Sequence, residues 1–425
     1  MTQSFDIVVV GAGMVGAALA AGLGQSGFTV ALVDQSPAPD ATLNDAPDLR
    51  VSALSAGSER YLRNLGAWPA MEAMRLTPYR RLAVWDQTPY PLSGILPRPG
   101  HTTFDAREIG HTHLGHIVEN QVTQKALWDA ATARDSVTAF AGLSVDRIDT
   151  GSEQATVTLS DGAQLSAALV AGADGAQSRV RTLAGLGVSR DQYAQQALVA
   201  SVRYTGQPED ITWQAFYPSG PRAFLPLHAA STANESWASL VWYDSPATLA
   251  ELKALPADAF IQRVQQGFPD TLPPLTHVAG RASFPIARQH ANAYVQGRIV
   301  LVGDAAHTIN PLAGQGVNLG FQDAQCLQAL LREARRAGAD LASEHWLRQY
   351  QQQRMPANRR MMLAMDAFYY LFSNQAPPLH LIRNAGLALA QRVPFARNQV
   401  ARYAMGIDDQ PGSVVHRLLA SLPKP

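Results

Sequence analysis

The sequence predicts an α/β protein: a Rossmann-like dinucleotide-binding domain, an inserted substrate domain built on a mainly antiparallel β-sheet, and a C-terminal helical region. Three observations carry this. A β-branched strand near the N-terminus runs into a G-x-G-x-x-G turn, a small-residue helix, a second strand and an acid. Two later strand-to-turn signals, around residues 169–175 and 298–320, suit the same sheet. Between them, residues 198–282 hold short aromatic and β-branched stretches separated by turns, such as Ala223-Phe224-Leu225-Pro226-Leu227 and Leu240-Val241-Trp242-Tyr243. Such spacing marks antiparallel strands.

Ile7-Val8-Val9-Val10 is uniformly apolar, as expected of a parallel strand buried on both faces. In Gly11-Ala12-Gly13-Met14-Val15-Gly16, the first glycine permits a tight turn and the second lets a pyrophosphate approach the backbone. The third lets helix and strand pack closely. The small-residue helix that follows, Ala17 to Gln25, offers unpaired N–H groups and a positive dipole end to phosphates. Asp34 closes the second strand and can accept hydrogen bonds from a ribose diol. An acid there argues against an NADP 2′-phosphate, while FAD and NAD both remain open.

Residues 36–48 read as a surface loop. Arg50 opens Val51-Ser52-Ala53-Leu54-Ser55, with a helix to Leu65; residues 88–101 form an irregular crossing; residues 122–133 are helical; and residues 155–159 form a strand. Leu169-Val170-Ala171-Gly172-Ala173-Asp174-Gly175 places a carboxylate at a strand end, suited to sugar or phosphate, or else an ordinary Asp-Gly turn. The strand 298–302 runs into Gly303-Asp304-Ala305-Ala306-His307, then Asn310-Pro311 and Gly314-Gln315-Gly316-Val317-Asn318. Val317, Phe321, Ala324, Leu327 and Leu331 have the spacing of a helix facing a core, and its start can stabilise negative charge.

Composition narrows the function. The 425 residues are 47% hydrophobic and 16% charged, which excludes a disordered chain. Lys+Arg and Asp+Glu balance at 34 each, so no nucleic-acid partner is expected. The single cysteine, Cys326, excludes an intrachain disulfide and a cysteine-cluster metal site; no metal is expected. No stretch reaches the roughly 20 apolar residues of a membrane span, and no secretory leader is visible. The expected location is the cytoplasm.

The three motifs, in this order, resemble the flavoprotein aromatic hydroxylases of the para-hydroxybenzoate hydroxylase fold, over residues 5–405. Within that class the chain resembles the ubiquinone-biosynthesis hydroxylases, through residues 50–55 and 303–320. Tyr79-Arg80-Arg81-Leu82, residues 220–227 and 237–246, and Phe372-Ser373-Asn374 resemble the branch acting on 2-polyprenyl-3-methyl-6-methoxy-1,4-benzoquinol. The resemblance implies an FAD-dependent monooxygenase with non-covalent FAD, NAD(P)H as transient donor and O₂ as cosubstrate. It implies ring hydroxylation through a flavin C4a-hydroperoxide. It also implies three regions: a discontinuous FAD domain (1–75, 104–182, 285–335), a substrate domain (76–103, 183–284) and a helical region (336–425).

Carried over by position, Gly11, Gly13, Met14, Val15 and Gly16 hold the pyrophosphate and Asp34 the adenosine ribose. Arg50 and Asn120 lie near the flavin and its phosphates. Asp174 and Gly175 serve FAD and NAD(P)H, Asp304 the ribityl chain, and Gly314, Gly316, Val317 and Asn318 the flavin ring. Pro311 orients substrate through its carbonyl, and His307 or His228 can polarise a ring hydroxyl, unless each histidine makes only a structural hydrogen bond. Phe224, Leu225, Trp242 and Tyr243 are candidates for an apolar channel, unless they are simply core.

Residues 375–406 carry arginines but no Asp or Glu and suit an anionic membrane surface, where the polyprenyl substrate dissolves. Other ubiquinone-biosynthesis proteins, and a second copy of the chain, are further expected partners. Three alternatives stand beside this reading: hydroxylation at another ring position of the pathway, a flavin-dependent prenyl reductase, and an FAD-binding assembly subunit without turnover.

Overall fold

The computed structural model describes residues 2–40, 42–87, 101–311 and 314–372. The basic stretch 375–406, Ser373-Asn374 and most of the crossing 88–101 lie outside the described residues, as does much of the helical region 336–425.

The first sheet is built on five parallel strands in the order Ile299–Leu301, Gln164–Gly172, Gln3–Val10, Val30–Asp34, Val137–Ala141. Val8 pairs with Val170 on one side and Ala31 on the other, and Ile7, Val8 and Val9 are completely buried. A strand covered on both faces has no use for alternation, which is why this run is apolar throughout. The helices Met14–Gln25 and Gly316–Arg336 pack together against this sheet through Ala17, Ala18, Phe321 and Ala324.

The second sheet has eight strands: His307–Thr308, Leu275–Ala291, Val188–Thr205, Glu235–Asp244, Gly220–Ala229, Ile211–Tyr217, Arg81–Asp86, His101–Asp105. All neighbours are antiparallel except Ile211–Tyr217 with Arg81–Asp86. The helices Pro246–Ala254 and Ala257–Gly267 cover one face, burying Leu249, Leu252, Phe260 and Val264 against Leu198, Phe224 and Trp242. A third, small sheet joins Val51–Ser55, Gly115–Glu119 and Thr77–Tyr79.

Strand pairing runs across two of the expected boundaries. The break expected after residue 284 falls inside the continuous strand Leu275–Ala291, to which His307–Thr308 also pairs. Thr77–Tyr79, expected in the substrate domain, pairs with Gly115–Glu119 in the small sheet instead. The long helix Glu344–Phe372 is tied to the second sheet by Asp366, which pairs with Tyr193 and Arg288.

Candidate functional site

Four parallel strands end at one edge of the first sheet, and the loops that follow them converge there. These loops carry Gly11 to Gly16, Asp34, Asp174-Gly175 and Gly303-Asp304. Such an edge is where open α/β sheets bind ligands. Gly11 has φ +101°, and a Cβ on it would lie 2.5 Å from the Ala173 carbonyl oxygen. A Cβ on Gly16 would run into the Gly11 carbonyl, so both glycines are required by close approach. Gly13 differs: its φ is −64° and a Cβ there would meet nothing within 4 Å. The helix beyond has no side-chain cap and no acid in its first turn, leaving the first N–H groups facing open space. Asp34 braces this turn, accepting from the N–H groups of Ala12 and, at 2.7 Å, Ser36.

A second helix start lies across the edge. The Gly316–Arg336 helix also lacks a side-chain cap, and a Cβ on Gly316 would meet nothing within 4 Å. Gly314, at φ +62°, rests on Ala53. The Asn318 side chain is fully engaged, donating to the carbonyls of Ala53 (2.9 Å) and Gly314 (3.0 Å). It accepts from Ser55 N–H (3.0 Å) and Ser58 Oγ (2.7 Å). Arg50 is exposed and has no ion-pair partner among the described residues, and its charge acts on Asp304. The Asp304 side chain is exposed at this edge, yet the protein around it displaces part of its hydration. That desolvation pushes its pKa up, outweighing the opposing pull of His307 and Arg50.

Asn120 accepts from Ser52 Oγ at 2.6 Å, tying a helix start to the Arg50 strand. One turn on, Gln124 Nε2 donates to the Ala12 carbonyl at 3.1 Å, so it touches the glycine turn. Gln124 was missed; its i, i+4 spacing from Asn120 was the available signal. Asp174 has both oxygens occupied, by Ser178 Oγ at 2.6 Å and the N–H groups of Arg179 and Val180 at 2.7 and 3.0 Å. Gly175 beside it, at φ +82°, is open.

The structure does not bring His307 into the cleft. It is 1% exposed, and its Nε2 lies 2.5 Å from Asp323 Oδ2. Asp323 also accepts from Arg354 Nε (2.7 Å), Asn358 Nδ2 (2.9 Å) and the Gly303 N–H (3.2 Å). Burial would raise the Asp323 pKa, but the charges and hydrogen bonds of His307 and Arg354 hold it well below the usual range. The signal was there: Asp323 sits one residue from Ala324 on the buried stripe of its helix. His228 is likewise in a structural contact, with the Asp45 carbonyl at 2.9 Å and Arg75 at 3.1 Å. Pro311 is exposed, and its carbonyl accepts from the Gly314 N–H at 3.0 Å, closing the turn ahead of the helix.

The four apolar candidates divide by strand alternation. Arg222 pairs with Trp242 and Phe224 with Leu240, so Phe224 and Trp242 share the face beneath the two covering helices. Phe224 stacks on Trp213 at 5.5 Å and is core. Leu225 and Tyr243 point to the other face. Leu225 packs towards Val51 and Ala53, the strand that Asn318 holds. Tyr243 is buried beside Tyr369 and donates to Asn310 Oδ1 at 3.3 Å. Val199, Gln214, Ala223 and Val241 share this face, opposite the two covering helices, and are all half-buried.

A family model described as an FAD binding domain matches residues 4–364. The chain is 44% identical to 3-demethoxyubiquinol 3-hydroxylase of Escherichia coli strain K12, over 95% of this chain and 99% of that one. The chain belongs to the FAD-binding ubiquinone hydroxylases. Within this family it is 33% identical to the ubiquinone hydroxylase UbiL of Rhodospirillum rubrum, over 94% of this chain and 89% of that one. Among solved structures, p-nitrophenol 4-monooxygenase PnpA of Pseudomonas putida shares the fold with a TM-score of 0.77. It is 17% identical, with 96% of this chain and all of that chain covered.

As an FAD-dependent monooxygenase, the chain must cradle an elongated dinucleotide, and its open glycines fit one. Gly13, Gly175 and Gly316 each leave space where any side chain would stand, and two uncapped helix starts face that space. One is suited to a pyrophosphate and the other to the electron-rich edge of a flavin. Among the described residues no helix is long and apolar enough to cross a membrane.

Proposed function

We propose that the chain hydroxylates the ring of a polyprenylated benzoquinol, 2-polyprenyl-3-methyl-6-methoxy-1,4-benzoquinol, at the carbon that later carries a second methoxy group. The 44% identity to 3-demethoxyubiquinol 3-hydroxylase over nearly the whole of both chains supports this ring position above the others in the pathway. Bound FAD, reduced by NAD(P)H, supplies the activation of O₂ that a quinol ring cannot achieve alone.

The chain's own residues then have three tasks. The N–H groups at Gly316, Val317 and Asn318, at a positive helix end, stabilise negative charge on the flavin. Gly11, Gly13, Met14, Val15 and Gly16 hold the pyrophosphate, with Asp34 and Gln124 bracing that turn and Arg50 and Asp304 along the cleft. The sheet face that carries Val199, Ala223, Leu225 and Val241 excludes water and seats the apolar substrate. No side-chain base is assigned: the substrate carries two activating oxygens, and His307 is held by Asp323.

Residues 375–406 are proposed to rest on the anionic inner membrane surface, where the substrate's tail resides. The test of function is complementation of a strain lacking 3-demethoxyubiquinol 3-hydroxylase, with quinones profiled by mass spectrometry. Restored ubiquinone and disappearance of the precursor lacking one methoxy group are expected. Persistence of that precursor, with the protein expressed and yellow, would move the reaction to another ring carbon.

A further inference from the structure

Away from the cleft, Glu59, His113 and His116 turn three donor atoms towards one another, all within 4.8 Å. Glu59 sits on the helix Ala56–Leu65, His116 on the strand Gly115–Glu119, and His113 on the turn before it. His113 Nε2 lies 2.7 Å and His116 Nδ1 3.4 Å from the same oxygen, Glu59 Oε2. The other oxygen, Oε1, is held by Arg63 Nε at 2.9 Å, which orients the carboxylate.

Two details set this cluster apart from an ordinary ion pair. His116 is 5% exposed, and its Nδ1, aimed at Glu59, makes no hydrogen bond. An unpaired buried polar nitrogen is costly, and a single proton between His113 and Glu59 does nothing for it. His113, meanwhile, has its Nδ1 fixed by Thr112 Oγ1 at 2.9 Å, so its Nε2 is held pointing inwards. A hydrogen bond on the far nitrogen is what orients a metal-bound imidazole.

We propose that Glu59, His113 and His116 form a binding site for one divalent zinc-class cation. Two imidazoles and one carboxylate are the donor set of an open zinc site with a fourth, water-filled position. Bonds of about 2.0–2.2 Å put tetrahedral donors roughly 3.3–3.5 Å apart, within reach of small ring movements here. The half-buried His113 provides the way in. The bound ion would tie the strand Gly115–Glu119 to the helix whose Ser58 meets Asn318.

The experiment uses the full-length, FAD-loaded protein, dialysed against EDTA and titrated with Zn²⁺ by calorimetry. One Zn²⁺ per chain at micromolar affinity is expected, with proton release and a thermal midpoint raised by about 3 °C near saturation. His116→Phe, which keeps an aromatic ring against Trp68, and Glu59→Gln should each weaken binding by about 30-fold. His345→Asn, a surface control, should change nothing. FAD content reports whether each variant folds, and zinc-edge X-ray absorption on the wild-type protein reads the ligands without any variant. No stoichiometric binding to the wild type, undiminished binding in His116→Phe, or an absorption edge without histidine scattering would each overturn the proposal.

Discussion

Asn318 clamps the backbone of Ala53. Its Nδ2 donates to the Ala53 carbonyl at 2.9 Å while its Oδ1 takes the Ser55 N–H, so one side chain holds the helix Gly316–Arg336 against the strand Val51–Ser55. The resemblance places Asn318 at the flavin ring, while its side chain is taken up by Ala53, Gly314, Ser55 and Ser58. Asn318→Ala removes four hydrogen bonds at a buried site and should cost about 2–4 kcal/mol of stability. FAD affinity should fall at least about tenfold as the helix start loses its alignment. Denaturant unfolding and flavin fluorescence titration check the two effects separately.

Two glycines of the first turn, Gly11 and Gly13, should fail differently. Gly11→Ala places a Cβ against the Ala173 carbonyl at φ +101°, so it should give little soluble protein. Gly13→Val meets open space at an ordinary φ, so the protein should fold with a near-normal melting temperature. It should nevertheless purify colourless, because the side chain stands in the space proposed for the pyrophosphate. A yellow Gly13→Val protein would show that the phosphates lie elsewhere.

Phe224 and Leu225 are adjacent, yet alternation sends them to opposite faces. Phe224→Ala opens a cavity in the outer core and should cost about 3–5 kcal/mol, with KM little changed in whatever folds. Leu225→Ala should be milder for stability but raise KM for the polyprenyl substrate. Steady-state kinetics beside thermal melts would reveal a reversed pattern at once.

Acid should weaken the fold from neutrality downwards. Burial, helped by the nearby His307, depresses the His290 pKa from 6.5 to about 4, and its Nε2 sits 3.1 Å from Tyr294 Oη. The unfolded chain binds this proton first, so the contribution is complete above pH 6.5 and is lost as pH falls towards 4. At roughly 1.36 kcal/mol per pKa unit this amounts to about 3 kcal/mol. His290→Gln keeps a partner for Tyr294, and its stability should vary less steeply between pH 6.5 and 4, measured with EDTA present.

Local patterns made most of the cofactor edge legible. The glycine spacing, the acid ending the second strand and the two later turns each work within a few residues, where backbone sterics and strand chemistry leave few choices. The same reasoning reached its limit with His307, because a side chain's partner is a matter of distance in space. His307 meets Asp323 across 16 residues of chain and Arg354 through it, and neither could be read from the turn itself.

The order of motifs, the apolar central strand and the neutral charge balance settle the class of protein and its cofactor edge from the chain alone, because each is a local or additive property. Folding decided the rest. It set which of Phe224 and Leu225, and of Trp242 and Tyr243, lies beneath the covering helices, engaged Asn318 and Asp174 with backbone, and brought His113 and His116 to Glu59 across more than fifty residues. Those outcomes depend on register and packing between distant segments, which no local run of residues carries.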